Sequence, residues 1–186
     1  MEHSGENFSN TNFSDKDLTG HVFEDCSFDK CELRDAILTR TRFIDCKFKS
    51  CDLSNAVLKS ATFRDVAFDD CKLLGLQWAQ LATLVNPSFR ESNLNYCGFV
   101  GLKLKKTTFY KCNLRETDYS QADVSESDFR ESNLLNARFN GTSLLKSDFR
   151  RAKDYLIDPI ANQVRGARFT LPEAQGLLAG LGVVID

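Results

Sequence analysis

The chain has 186 residues, 42% apolar and 27% charged, with 24 Lys and Arg against 26 Asp and Glu and a pI near 5.8. That balance suits one soluble domain and argues against a protein that binds nucleic acid by neutralising phosphates. No apolar run reaches the roughly eighteen residues a membrane span needs. The polar, acidic N-terminus has neither the basic nor the apolar region of a secretory signal, so a reducing cytoplasm is the expected home.

Fifteen Phe stand beside three Pro and one Met, which implies a repeated slot that demands one aromatic. From Phe8, every fifth residue through Phe13, Leu18, Phe23 and on to Leu73 and Trp78 is large and apolar. The register then slips by one residue and resumes at Leu84, running without a polar exception to Phe149. A period of five matches neither a helix nor a simple strand. It fits a chain that turns a corner every five residues and sends one large side chain inward from each side.

The residue two places before each large one is usually small, as at Cys26, Ala36, Thr41, Ala56, Ser92, Thr117 and Ser132. One large and one small inward residue per side is what a narrow interior holds at crystal-like density. Residues twenty apart repeat in kind: Phe8, Phe28, Phe48 and Phe68 form one column and Leu33, Leu53 and Leu73 another. Four sides therefore close one coil.

In chain order, the first coil puts Glu6, Lys16 and His21 at small inward slots, so its interior is expected to be wet or frayed, as terminal repeats are. The seven cysteines, Cys26, Cys31, Cys46, Cys51, Cys71, Cys97 and Cys112, all occupy the small inward slot, which reads as packing by buried thiols. Zinc needs about four converging ligands, which a linear column does not supply. Stacked Cα atoms about 4.8 Å apart lie within disulfide range, but parallel Cβ directions and a reducing compartment disfavour a bridge. The slip at 75–89 reads as a bulged corner or short loop, with a partner-binding projection as the alternative.

After Phe149, Asp154 and Pro159 fall on apolar slots, so two sides are expected to be lost. Thr170-Leu171-Pro172-Glu173 has the form of a capping box, predicting a helix over about 171–180 that ends near Gly182. Leu171, Ala174, Leu177, Leu178, Leu181 and Val183 are candidates to cap the open solenoid end or to join a second subunit. The chain divides into a repeat region, 1–169, and a C-terminal module, 170–186.

The units SNLLN (132–136), CDLSN (51–55) and CELRD (31–35) resemble the pentapeptide-repeat family over roughly residues 6–153. The resemblance implies an all-β, right-handed quadrilateral β-helix of about seven to eight coils with a short C-terminal α-helix. At about 4.8 Å per coil, seven coils make a rod roughly 35 Å long. IDP (157–159) followed by the 169–185 segment resembles the tail of members that dimerise tail to tail, implying a homodimer.

No catalytic motif is present, and the two histidines, His3 and His21, lie in the first coil, so no enzyme, metal or cofactor is expected. Function then belongs to the outside. Length and tail resemble the Qnr and MfpA type and the self-immunity proteins of topoisomerase-poison producers. That resemblance implies binding to DNA gyrase or topoisomerase IV as a DNA-shape mimic, protecting it from quinolones or a toxin, without direct contact to nucleic acid or membrane. The larger gyrase-contacting insertions of Qnr proteins are missing.

Charge does not single out one acidic face. Outward charges on the four faces sum to +1, -2, +1 and 0. Acids do gather on an N-terminal edge as Glu24, Asp25, Asp29, Asp45, Asp65, Asp69 and Asp70, the candidate partner-binding residues, interleaved with Lys30, Arg42, Lys47, Lys49 and Arg64. Farther on stands a basic run, Lys103, Lys105 and Lys106. A generic interaction scaffold with some other protein partner is the alternative.

Overall fold

A computed structural model describes residues 1–179 together with Leu181 and Val183; the expected helix stop at Gly182 lies outside them. The five-residue period becomes a strand or bridge followed by a tight corner. Two residues beyond every large centre from Phe8 to Phe149 except Trp78 the backbone enters the left-handed region, as at Asp25 (φ 50°), Asp45 (φ 52°) and Asp65 (φ 53°). For an isolated residue with a Cβ this conformation costs roughly 1–2 kcal/mol. Stacking offsets it, because each corner N–H donates to a carbonyl one turn on: Asp25 to Ile44 and Asp45 to Arg64, both at 3.0 Å.

All pairing between strands is parallel, as a coil that always advances in one direction requires. One sheet stacks β1 (Glu2–Ser4), β3 (Val22–Glu24), β5 (Arg42–Ile44), β7 (Thr62–Arg64) and β9 (Thr83–Val85) in that order. The other stacks β2 (Asn7–Ser9), β4 (Ser27–Asp29), β6 (Lys47–Lys49), β8 (Ala67–Asp69), β10 (Ser88–Arg90) and β11 (Thr108–Tyr110). Single parallel bridges make the remaining sides, for example Asn12 to Glu32 to Asp52 to Lys72, and continue the second sheet through Asp128 and Asp148 to Arg168. The result is an all-β solenoid, with five successive turns marked by the first sheet.

Inside, like stacks on like. Phe28 lies 4.5 Å from Phe48 with rings 6° from parallel, and Phe129 lies 4.7 Å from Phe149 at 4°. Between columns the rings meet edge to face, as Phe43 does with Phe48 at 70°. Both arrangements suit the aromatic quadrupole. The first coil is looser, as expected: Phe8 and Phe13 are half-buried, and Glu6 and Lys16 are exposed.

The slip resolves as a 3-10 turn over Trp78–Gln80, after which the partner offset becomes twenty-one, with Thr62 opposite Thr83 and Ala67 opposite Ser88. Trp78 remains fully buried, so the extra residue is absorbed on the outside and every column continues.

Two expectations for the C-terminal end are corrected. The coil after Phe149 does not simply lose its sides: Asp154 turns out with φ 59°, while Tyr155 and Ile157 go in and are buried. Ile157 keeps the small-slot phase, two residues before Pro159, whereas Tyr155 stands one residue past the large slot, and the register is regained where Phe169 stacks on Phe149 at 5.2 Å. The helix α1 is also shorter than the capping pattern implied, Gln175–Ala179. The Thr170 hydroxyl is not an N-cap; its oxygen accepts the Arg151 backbone N–H at 2.8 Å, tying it to the preceding turn. A Cβ on Gly176 would stand 2.5 Å from the Tyr155 carbonyl oxygen, so only glycine lets α1 approach that turn so closely.

Candidate partner-binding surface

Because the large and small slots point inward, the surface is made by the remaining residues of each unit, which the turns set in columns. Asp25, Asp45 and Asp65 occupy successive turns of one corner, all exposed, with Glu24 beside the first. These form a continuous acidic column. Asp29 and Asp69 are not joined in the same way, because the register Asp29 to Lys49 to Asp69 puts a lysine between them. Asp70 turns the next corner and accepts the Ser50 hydroxyl at 2.9 Å, while Asp65 accepts the Asn86 amide at 2.8 Å. The seven acids thus make one coherent column of three, not a single edge.

Charge is also divided along the axis, which face-by-face sums hide. Residues 1–86 carry ten Lys and Arg against fourteen Asp and Glu, and residues 87–186 carry fourteen against twelve. The N-terminal part is therefore net -4 and the C-terminal part +2. The basic side is held by ion pairs such as Lys105 to Glu126 at 3.0 Å, and by Tyr110, whose ring has Arg90, Arg130 and Lys111 within 5.8 Å of its centroid.

The tail candidates gather where the ladders stop. Leu171, Leu178, Leu181 and Val183 are exposed, and Ala174 and Leu177 are half-buried, with Leu177 packed against the core. Leu156 and Ile160 add exposed apolar surface at the same end, 63% and 79% accessible. The sequence pattern did not single those two out, because they fall between the five-residue slots.

The cysteines are buried free thiols, but the small slot does more than pack. Many of the donors there bond the carbonyl of a large residue one turn back: Cys51 to Phe28 at 3.3 Å, Cys71 to Phe48 at 3.5 Å, Thr41 to Leu18 at 2.7 Å and Ser147 to Val124 at 2.7 Å, while Ser92, Cys112 and Thr117 bond Arg90, Tyr110 and Leu114 within their own turn. Some accept as well, as when the Cys31 N–H donates to Cys51 Sγ at 3.3 Å. Burial holds the thiols of Cys97 and Cys112 up at about 12 and that of Cys46 at about 11, so these three are not ready nucleophiles at neutral pH. His3 Nδ1 lies 3.1 Å from Glu6, and both histidines stack in the terminal coil. Among the described residues no group of three or more His, Cys, Asp or Glu is placed to hold a metal, and no helix is long and apolar enough to cross a membrane.

A family model described as the pentapeptide repeat region matches residues 21–83 and 80–149. Of solved structures, a trypsin-treated QnrB1, a plasmid-mediated fluoroquinolone resistance protein, is similar at 19% identity and TM-score 0.74, covering 100% of this chain and 98% of that one. Full-length QnrB1 is similar at 18% identity and TM-score 0.56, covering 98% and 100%. HetL, involved in heterocyst differentiation regulation in the cyanobacterium Nostoc, is similar at 14% identity and TM-score 0.65, covering 90% and 88%. No curated protein matches.

Proposed function

This chain belongs to the pentapeptide repeat family, and from that premise we propose that it is a non-catalytic binding rod whose partner is DNA gyrase or topoisomerase IV. It occupies the DNA site by shape and protects the enzyme from quinolones or a topoisomerase-poisoning toxin. The observation that carries this reading is the end-to-end correspondence with a fluoroquinolone resistance protein, over 100% of this chain. At 19% identity that correspondence is one of fold, so the partner is an inference from likeness. The finer geometry is a right-handed, four-sided coil of seven to eight turns, working in the cytoplasm.

Two surface features support a division of labour. The acidic column Asp25, Asp45 and Asp65, with Glu24, meets the topoisomerase, and the apolar tail end, with Leu156, Ile160, Leu171 and Leu178, joins two copies into a dimer. Purified protein is expected to inhibit gyrase supercoiling or to rescue it from a fluoroquinolone, and the triple variant Asp25→Lys, Asp45→Lys, Asp65→Lys to lose the effect. Absence of both activities in the unmodified protein removes the proposal. Sedimentation as a strict monomer at micromolar concentration removes the dimer.

The alternative is a scaffold for a non-topoisomerase partner. It is favoured by the similarity to HetL and by the interleaving of Lys49 with the acids. Capture of another protein, weakened by charge reversal at Asp65, Asp69 and Asp70, supports it.

A further inference from the structure

On the basic half of the rod, a half-open cleft of about 310 Å³ is lined by Arg130, Glu131, Arg150, Arg151 and Thr170. Arg130 and Arg150 sit one above the other on successive turns, and each is fixed by the aspartate two residues before it. Arg130 donates through Nε and Nη2 to Asp128, both at 2.8 Å, and Arg150 through Nε at 2.9 Å and Nη2 at 2.6 Å to Asp148. The Tyr110 ring backs Arg130, 5.5 Å from its guanidinium carbon. Both guanidinia are thus oriented with the Nη1 side unspent.

The rest of the cleft is less committed. Arg151 reaches Glu131 at only 3.8 Å, and Glu131 also accepts from the Tyr110 hydroxyl at 3.2 Å. The Thr170 oxygen accepts the Arg151 backbone N–H, which leaves the hydroxyl proton free to donate. Three arginines and a threonine thus line a space whose one lining carboxylate is loosely held. A phosphate dianion offers three acceptor oxygens and suits a guanidinium better than a single carboxylate at long range does.

We propose that the Arg130–Arg150–Arg151 cleft is a binding site for a terminal phosphate group, which enters by displacing Glu131 from Arg151. The phosphate is either free, as in a polyphosphate, or an ester on a side chain. This site is independent of the topoisomerase reading and lies on the opposite half of the rod from the acidic column.

Isothermal titration of the full chain with inorganic pyrophosphate and with O-phosphoserine tests it, the preferred ligand telling the free form from the ester. Arg151→Gln is expected to weaken binding about fivefold and Glu131→Gln to tighten it about fivefold, the range of one exposed charge pair. Arg115→Gln, which removes the same charge elsewhere on the surface, leaves affinity unchanged. The proposal is overturned if Glu131→Gln fails to tighten binding, or if Arg115→Gln weakens it as much as Arg151→Gln. Absence of saturable binding of either ligand at about 10 mM overturns it as well.

Discussion

Replacing Ser132 by alanine tests the hydrogen bonds of the small inward slot. Ser132 is fully buried, its hydroxyl donates to the Phe109 carbonyl at 2.5 Å, and its oxygen accepts the Cys112 N–H at 2.8 Å. Neither group has another protein partner among the described residues, because this carbonyl and this N–H point into the coil and not along the ladder. Alanine nearly keeps the volume and strands two buried polar groups. At about 1–3 kcal/mol per group, the expected loss is about 2–6 kcal/mol. Ser132→Cys keeps a donor and an acceptor, as Cys51 does in the same column, and is expected to cost about 1 kcal/mol or less, since a thiol bonds more weakly. Urea titrations followed by circular dichroism, with unchanged slope, give both values. If Ser132→Ala costs under about 0.5 kcal/mol and Ser132→Cys costs more, the slot selects for size alone and the reasoning fails.

Three further outcomes follow from buried groups. Tyr119→Phe is expected to stabilise by about 1 kcal/mol in the same titration, since the Tyr119 hydroxyl is buried without a partner among the described residues, between the stacked rings of Phe99 and Phe139. A native-state assay with a thiol-reactive disulfide at neutral pH should label the cysteines far more slowly than the unfolded chain, while labelling as fast as a free peptide would contradict their burial. Burial, with His3 nearby, lowers the His21 pKa below its ordinary 6.5, so the unfolded chain binds the proton more readily. The His21 contribution to stability is therefore full above that value and is lost as pH falls through the lower folded one. The urea midpoint should drop less between about pH 7.5 and about pH 5 in His21→Asn than in the unmodified chain.

The repeat was legible because its signal is in side-chain size, which the sequence states directly. Phe28, Phe48 and Phe68 could be stacked on paper, and the pairs Phe28 to Phe48 and Phe48 to Phe68 stack in the fold. The slip was placed correctly because Trp78 and Leu84 bracket it by one extra residue. What the pattern hid was chemistry at constant size. Cysteine, serine and threonine look alike as small fillers, and the bond that Cys51, Thr41 and Ser147 each make to a carbonyl one turn back appears only once the turns are stacked. At Asp154 the chain turns out, so Tyr155 goes in one residue past the large slot and Ile157 fills the small one, where a template of large centres assigns the inward role to Asp154 and Pro159 instead. The acidic edge was half legible: counting by twenty aligns Asp25, Asp45 and Asp65 and puts Lys49 between Asp29 and Asp69, but the bonds that engage Asp65 with Asn86 and Asp70 with Ser50 appear only in the fold.

The one-residue offset at Trp78–Gln80 has a use beyond its own turn. The chain leaves the coil there, gains a residue, and returns with Trp78 still buried and Phe68 still stacked on Phe89 at 5.3 Å. The interior on either side does not register how long that excursion is. Ala79, Gln80 and Ala82 thus mark a splice point, where a foreign segment whose ends lie close together can be grafted and displayed at a fixed height on a rigid shaft.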